Sequence, residues 1–516
     1  MRKRALRTAT AVAGLCFLPG CEIFDKIVDE LPTTPPVAVQ LKNHSVTPAL
    51  IKPMPGFENV QTYAIIGSDD KLPGSPDFTF GGSADGAGWL RTRDGKGFIY
   101  ITNHEDNFAV SRITFDQTLK PVKGEYVLNS DGGQWRLCSA TLATPAEHGF
   151  GPTFLTCGES GPESRTHALD PYAPVNAQTV SREKPALGRW SAENAVPLPK
   201  DAVPGKTAII IGDDDSGPNG DGEGNGGQVA LYLSNQGDLD NGKLYLLKRT
   251  NDDQREMNLK TGRDYDIEFV EVENQEMLTG AEINAKVDEL RAIKFGRVED
   301  LDYRKGGGAN SREIYFNVTG QNNSGPNAGE YPDYPRSKYG RVYRLVLNPE
   351  NPLRGKLRLV LDGDDRNGKA RLFQNPDNIV VTQNYAYIQE DPNRYADETH
   401  DAYIYQYHLG TGALKVVFEL DHRRNADDAA KYNADRPGGG GDPEPTNPPF
   451  LASALGSWEY GAMVDISELV GVPGTFSINI QPHTWRGEKY RNPDGGSLRP
   501  NEDQASQMVI VRGLAR

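Results

Sequence analysis

Gly97-Phe-Ile-Tyr-Ile-Thr102, closed by Asn103-His104-Glu105-Asp106, sets the pattern of this chain: a short run of aromatic and branched residues ending in polar side chains. Runs of the same kind recur at 62–66, 206–211, 228–233, 243–248, 313–318, 341–347, 356–361, 402–407, 414–418, 475–480 and 508–512. Alternating Val, Ile, Tyr and Phe mark strands, because such side chains pack well on a pleated, half-buried surface. Between them sit turn signals, Phe115-Asp-Gln, Leu169-Asp-Pro, Leu347-Asn-Pro and Leu409-Gly-Thr-Gly, each following one strand and preceding another. One stretch, about 281–295, reads as a helix. Strands do not alternate with helices, which argues against a parallel α/β sheet. The expectation is an all-β chain, a β-propeller with loop insertions, and a two-sheet sandwich is its rival. No exact repeat is visible, so this pattern leaves the blade number open.

The N-terminus says where the chain works. Arg2, Lys3, Arg4 and Arg7 precede an uncharged run from Thr8 to Leu18, and Leu18-Pro19-Gly20-Cys21 follows. A charged start, a short apolar stretch and small residues at the cut read as an export signal over residues 1–20. The apolar run is too short to span a bilayer. The Leu-x-Gly-Cys ending resembles a bacterial lipobox, in which Cys21 takes the lipid; a plain secretory signal is the alternative. Residues 21–45, rich in Pro, read as a tether for a body at 46–516. The expected location is therefore outside the cytoplasm, lipid-anchored, with membrane contact through the anchor only.

The formal charge of −15 argues against nucleic acid or anionic lipid as partner, since either needs a basic face. It suits cations. Of four cysteines, Cys16 lies in the signal and Cys21 takes the lipid. Cys138, in Arg136-Leu-Cys-Ser-Ala140, and Cys157, in Thr156-Cys-Gly-Glu159, remain. In an exported chain two cysteines commonly pair. A thiolate beside carboxylates equally suits a transition metal next to an oxygen-ligated cation.

Two segments read as insertions. Residues 213–227 combine acidic groups with Gly and fit either a calcium-wrapping loop or a solvated one, without the spacing of an EF-hand. Residues 435–449 are too rich in Gly and Pro to pack.

Polar clusters at strand ends carry the functional signal. Besides 103–106 they are Glu193-Asn194, Arg297-Val-Glu299-Asp300, Asn375-Pro-Asp377-Asn378, Gln389-Glu390-Asp391-Pro392, Trp458-Glu459 and Gln481-Pro-His483. An acidic residue at a strand end is usually a turn former. In a propeller, however, equivalent loops converge on one end of the central channel, so scattered carboxylates become neighbours. His104, His148, His167 and His483 could serve as ligands, although hydrogen-bonded histidines are commoner. No Gly-x-Ser-x-Gly elbow, Walker loop or His-Glu-x-x-His helix is present.

The ordered series Asn-His-Glu at 103–105, Arg-Leu-Cys-Ser-Ala at 136–140, Gly-Glu at 158–159, Leu-Gly-Arg…Glu-Asn at 187–194, Gly-Asp-Asp at 212–214, Asn-Gly-Lys-Leu-Tyr at 241–245, Arg-x-Glu-Asp at 297–300, Pro-Asp-Asn at 376–378, Gln-Glu-Asp-Pro at 389–392 and Asn-Ile-Gln-x-His at 479–483 resembles the PhoX family of extracytoplasmic alkaline phosphatases. It covers roughly residues 60–515. The resemblance implies a six-bladed propeller whose funnel holds iron and calcium and hydrolyses phosphate monoesters. It implies Cys138, Glu193, Glu299 and Asp377 as metal ligands, with Glu159 and Glu390 joining them, and Arg297 as the group that grips the substrate phosphate. A small phosphate ester is the implied substrate and a monomer the expected state. The family usually carries Cys-x-Gly-Gly where this chain has Cys138-Ser-Ala-Thr, and a histidine where Ala192 precedes Glu193. These departures keep two other readings open: a calcium-stabilised propeller that only binds, and another metal-dependent hydrolase, lactonase or phytase-like, on the same cluster.

Overall fold

Each of those alternating runs is a strand, with ends shifted by a residue or two, in the structure, a computed structural model that describes residues 38–217, 224–323, 329–333, 335–393, 395, 397–433 and 455–516. Lys206–Asp213 shows why they are legible: every residue after Lys206 is buried, so both faces pack. At about 1.5–3 kcal/mol for each fully buried Ile, Ile209, Ile210 and Ile211 offset the cost of carrying Asp213, a buried carboxylate, at the strand's end.

The described strands form five sheets, and their named strand pairs are antiparallel. Ala84–Arg91, Gly97–His104, Ala109–Asp116 and Pro121–Leu128 make a simple meander, and Leu137–Ala143, Thr153–Gly158 and Thr166–Leu169 a shorter one. A nine-stranded sheet runs from Ala192–Pro197 to Val298–Tyr303. It consists of two meanders fused where Asp264–Val272 pairs with Arg354–Asp362. The meander Pro376–Val381, Tyr385–Glu390, Tyr403–His408, Leu414–Leu420 is extended by Ile51–Pro53. Finally, Gln61–Gly67 joins Gln507–Arg512, Thr475–Gln481 and Glu459–Asp465, so the two ends of the body share one sheet.

The first strand of each meander packs on the next in a closed cycle: Ala84–Arg91 on Leu137–Ala143, then Ala192–Pro197, Val298–Tyr303, Pro376–Val381, Glu459–Asp465 and back to Ala84–Arg91. This is a propeller-like arrangement, and not a two-sheet sandwich. Apolar clusters lie between the sheets, as where Trp89, Phe98 and Phe115 of one meander meet Ile466, Val470 and Ile510.

The helix expected at 281–295 is shorter, Gly280–Glu289, opened by a capping box between Thr279 and Glu282. Arg291 adopts φ 60° and ends the helical course. Ile293 and Phe295 then run extended into the core, bonded to Leu247 and Gly227. Residues 39–45, expected within the tether, pack on the body: Val39 is buried and its N–H donates to Val470, while Asn43 Oδ1 accepts from Ala64 N. The signal segment 1–20, Cys21, and the Pro-rich loop 435–449 lie outside the described residues, as does 218–223 of the acidic loop. Among the described residues no helix is long and apolar enough to cross a membrane.

Candidate metal centre

Every inner strand carries the same irregularity. The register breaks after Ala84, Leu137, Ala192, Val298, Pro376 and Tyr460. A bulge adds a residue and re-aims a side chain. The residues lifted out are Asp85, Cys138, Glu193, Glu299, Asp377 and Gly461.

The second strand of one sheet braces the bulge of the next. Asn103 Nδ2 donates to Cys138 O, Asn317 Nδ2 to Asp377 O at 2.7 Å, Gln389 Nε2 to Gly461 O and Asn479 Nδ2 to Asp85 O at 2.6 Å. A third row closes the mouth. The residue before five of the six inner strands accepts, through its carbonyl, from the residue after the second strand: Glu105 N to Ser83 at 2.9 Å, Glu159 N to Arg136 at 2.7 Å, Asp214 N to Ser191 at 2.7 Å, Thr319 N to Arg297 at 3.0 Å and Asp391 N to Asn375 at 3.0 Å. Ser83, Arg297 and Asn375 take left-handed φ values of 47°, 68° and 65°, conformations that cost non-glycine residues about 1–3 kcal/mol and mark a functional mouth.

These rows bring acids from distant parts of the chain together. Asp85, Cys138 and Glu193 form one group, Glu105, Cys138 and Glu159 a second, Glu193, Glu299 and Asp377 a third, and Asp391, Glu459 and His483 a fourth. Within each group the potential ligand atoms lie within 4.8 Å of one another. Glu193 Oε1 is further fixed by Ser139 N at 3.0 Å, and Cys138 Sγ donates to Glu159 Oε2 at 2.8 Å.

Such crowding is costly while the groups are ionised and uncompensated. Two carboxylates about 4 Å apart repel by about 4 kcal/mol even at an effective dielectric near 20. Burial, then the neighbouring carboxylates, push Asp85, Glu193, Asp377 and the Cys138 thiol well above their ordinary values. Glu105 rises to about 7 through burial, against the pull of Arg136. Glu159 and Asp214 stand at hydrogen-bonding distance, as do Glu459 and Asp391, so each pair needs a proton or a cation between its oxygens. Asp85 Oδ1 and Asp377 Oδ1 are buried with no hydrogen-bond partner. The residues present therefore fit bound cations.

Arg297 spans this cluster. Its Nε meets Asp214 Oδ1 at 2.7 Å, Nη2 meets Asp214 Oδ2 at 2.9 Å and Glu299 Oε1 at 2.8 Å, and Nη1 donates to Asn393 Oδ1 at 2.8 Å. Burial works against its charge, but Asp214 and Glu299 keep it firmly protonated. Arg136 similarly faces Glu105 at 3.2 Å.

The model of the alkaline phosphatase PhoX family matches residues 168–433, more than half of the chain. The chain belongs to this family. Among solved structures it is similar to Pseudomonas fluorescens PhoX in complex with vanadate, a transition-state analogue: TM-score 0.60, 13% identity, 93% of this chain and 97% of that one. At that identity the likeness speaks to fold. Kuenenia stuttgartiensis hydrazine synthase follows at TM-score 0.27 and 11% identity over 66% of this chain and 79% of that one. No curated protein matches.

Within this PhoX-family chain, Cys138, Glu159, Glu193, Glu299, Asp377 and Arg297 all come together. Glu390 does not. Its Oε1 accepts from Gln374 N at 2.7 Å and Tyr405 OH at 2.8 Å, its Oε2 from Tyr403 N at 2.8 Å and His400 Nε2 at 3.0 Å. Successive strand residues point to opposite faces, so Glu390 turns into its sheet and Asp391, one residue on, reaches the cluster. Asp85, Glu105, Asp214, Asp391 and Glu459 were not singled out as ligands; all but Asp85 sit in acidic motifs or loops visible in the sequence. Asp85, in Ala-Asp-Gly-Ala-Gly, offers no such signal.

Cys138 and Cys157 are both free and buried. Cys157 occupies the row of Asn103 and Asn317, turned into an apolar cluster with Leu155 and Ile209, and burial pushes its thiol up to about 12. His104 bonds Ser111 Oγ at 2.7 Å inside its sheet, whereas His483 Nε2 faces Glu459 at 3.1 Å.

Proposed function

We propose that this chain is an exported, lipid-anchored, monomeric phosphomonoesterase on a six-bladed propeller, acting on small phosphate esters with iron and calcium in its channel. The observation that carries the reading is the convergence of buried acids, one thiol and a forked guanidinium at one end of a closed ring of inner strands. The six-bladed reading is supported by a bulge in six inner strands, by the amide brace at four of them and the mouth bond at five, with the nine-stranded sheet counted as two fused blades. Cys138, with Asp85, Glu105, Glu159 and Glu193, offers a soft donor among hard ones and suits iron; Glu193, Glu299 and Asp377 offer oxygen alone and suit calcium. Bound cations neutralise phosphoryl charge and activate an oxygen nucleophile.

The protein's own groups bind and orient. Arg297 holds Asp214 through the N–H···O bond from Nη2 to Oδ2, with Nε an ion-pair distance of 2.7 Å from Oδ1. A phosphate presents the same spacing of oxygens to that fork, so substrate would take the place of Asp214 while Glu299 and Asn393 keep the guanidinium aligned. The left-handed turn at Arg297 is held by Thr319 N on its carbonyl and Gly320 N on the carbonyl of Gly296, which fixes the side chain's point of departure before substrate arrives. Export and lipidation of Cys21 rest on the first 21 residues.

The test is hydrolysis of 4-nitrophenyl phosphate by protein purified from a membrane fraction, beside elemental analysis and mass spectrometry of the mature N-terminus. Monoester turnover with bound iron and calcium, blocked by vanadate, is expected. Metal-loaded protein without monoesterase activity would overturn the reading in favour of a binding module or of another metal-dependent hydrolase on the same cluster.

A further inference from the structure

Above the fourth group of ligands lies a hydrogen-bond chain whose direction is forced. Ser83 Oγ donates to Asp106 Oδ2 at 2.7 Å. Ser83 Oγ then has lone pairs for Gln504 Nε2, which donates to it. The amide of Gln504 is oriented independently from its other end: Arg486 Nη2 approaches Oε1 at 2.7 Å, and a guanidinium can only donate. His483 Nδ1 lies 3.3 Å from that same Oε1. An amide oxygen accepts, so Nδ1 carries the proton. In the neutral ring Nε2 is then a lone pair, and it faces Glu459 Oε1 at 3.1 Å, two acceptors in contact.

We propose that Gln504, set by Arg486 and Ser83, is a positioning residue that locks His483 as the Nδ1–H tautomer and so presents Nε2 as a cation ligand beside Asp391 and Glu459. The strained φ of 47° at Ser83 belongs to the same device, because it places the hydroxyl between Asp106 and Gln504. Histidines that bind metals characteristically donate their other N–H to such a partner, and loss of the partner typically weakens binding about 10–100-fold. The inference rests on the cation-binding reading of the channel, but its central measurement does not need a metal.

In full-length, metal-free protein labelled with ¹⁵N only at histidine, the His483 signal, identified by its loss in His483→Gln, should show Nδ1–H. In Gln504→Leu that preference should disappear, and Mn(II) titrated into the metal-free protein should bind one site about 10–100-fold more weakly. Gln504→Glu, which keeps an acceptor for Nδ1–H, should restore the tautomer and most of the affinity. An Nε2–H tautomer in the wild type, or unchanged tautomer and Mn(II) affinity in Gln504→Leu, overturns the proposal. If Gln504→Leu does not fold, the wild-type spectrum and Gln504→Glu decide. Protein that shows Nδ1–H but binds no Mn(II) at all refutes the metal reading and leaves the tautomer lock standing.

Discussion

At the scale of single residues, Cys138 and Glu193 carry the most. Cys138 belongs to two ligand groups, and Glu193 joins the thiol group to the oxygen-only group. Cys138→Ser replaces the soft donor with a hard, neutral one of similar size, so the expected result is loss of iron with calcium retained. Glu193→Gln removes a charge shared between groups, and both metals should fall together. Elemental analysis of the two purified variants separates the cases, and monoesterase activity should fall by at least about 100-fold in each if the cations act on the phosphoryl group. Equal metal content in Cys138→Ser and wild type would remove the thiol from the centre. Arg297→Lys keeps the charge but not the fork. It should raise KM for 4-nitrophenyl phosphate by about tenfold or more while leaving metal content unchanged.

At the scale of elements, the alternation of a strand decides which acid is a ligand. Glu390 and Asp391 are neighbours, yet Glu390 is saturated by four donors within its sheet. Glu390→Gln should therefore lower stability by about 1–3 kcal/mol, the cost of disrupting a buried network, with metal content intact. Asp391→Asn should do the reverse. Denaturant midpoints and elemental analysis on the pair report it. The bracing amides make a parallel case: Asn317→Leu orphans Asp377 O and Asn378 O and should cost a similar amount. The outer strands were legible because their Ile, Val and Tyr face two apolar neighbours. Inner strands such as Ala-Glu-Asn-Ala-Val-Pro at 192–197 and Val-Glu-Asp-Leu-Asp-Tyr at 298–303 face the channel with acids and lack that alternation, so Glu193, Glu299 and Asp377 read only as polar clusters at strand ends. The repeat was invisible for the same reason. Its equivalent positions hold Asp85, Cys138, Glu193, Glu299, Asp377 and Gly461, four carboxylates, a thiol and a glycine that share a backbone bulge but no one residue type. The clustering of acids at strand ends was legible; the one-residue phase that separates Glu390 from Asp391 was not, since the strand ends at Glu390 and Tyr-Ala-Tyr-Ile-Gln-Glu does not say which face is the channel's.

At the scale of the whole molecule, a ring closed by its own ends must answer acid as one body. Gln61–Gly67 pairs with Gln507–Arg512, so no sheet can leave without opening the cycle. Away from the channel, His148 and His167 are buried, and burial lowers each to about 4. For His148 the pull of Glu147 only partly offsets this. Both stay neutral in the fold while the unfolded chain takes up protons below about 6.5. Their contribution is therefore complete above pH 6.5 and is lost as pH falls from there to about 4, at up to about 1.4 kcal/mol per pH unit for each. Protonation also breaks the acceptor that His148 Nδ1 offers to Thr144 N at 3.0 Å and that His167 Nδ1 offers to Arg182 N at 3.3 Å. Urea midpoints measured between pH 7.5 and 4 in excess calcium should fall in a single transition beginning near pH 6.5, before surface carboxylates titrate. His167→Gln, which cannot take up the proton, should reduce the slope in that window. A midpoint flat down to pH 5 would show that these histidines are charged in the fold.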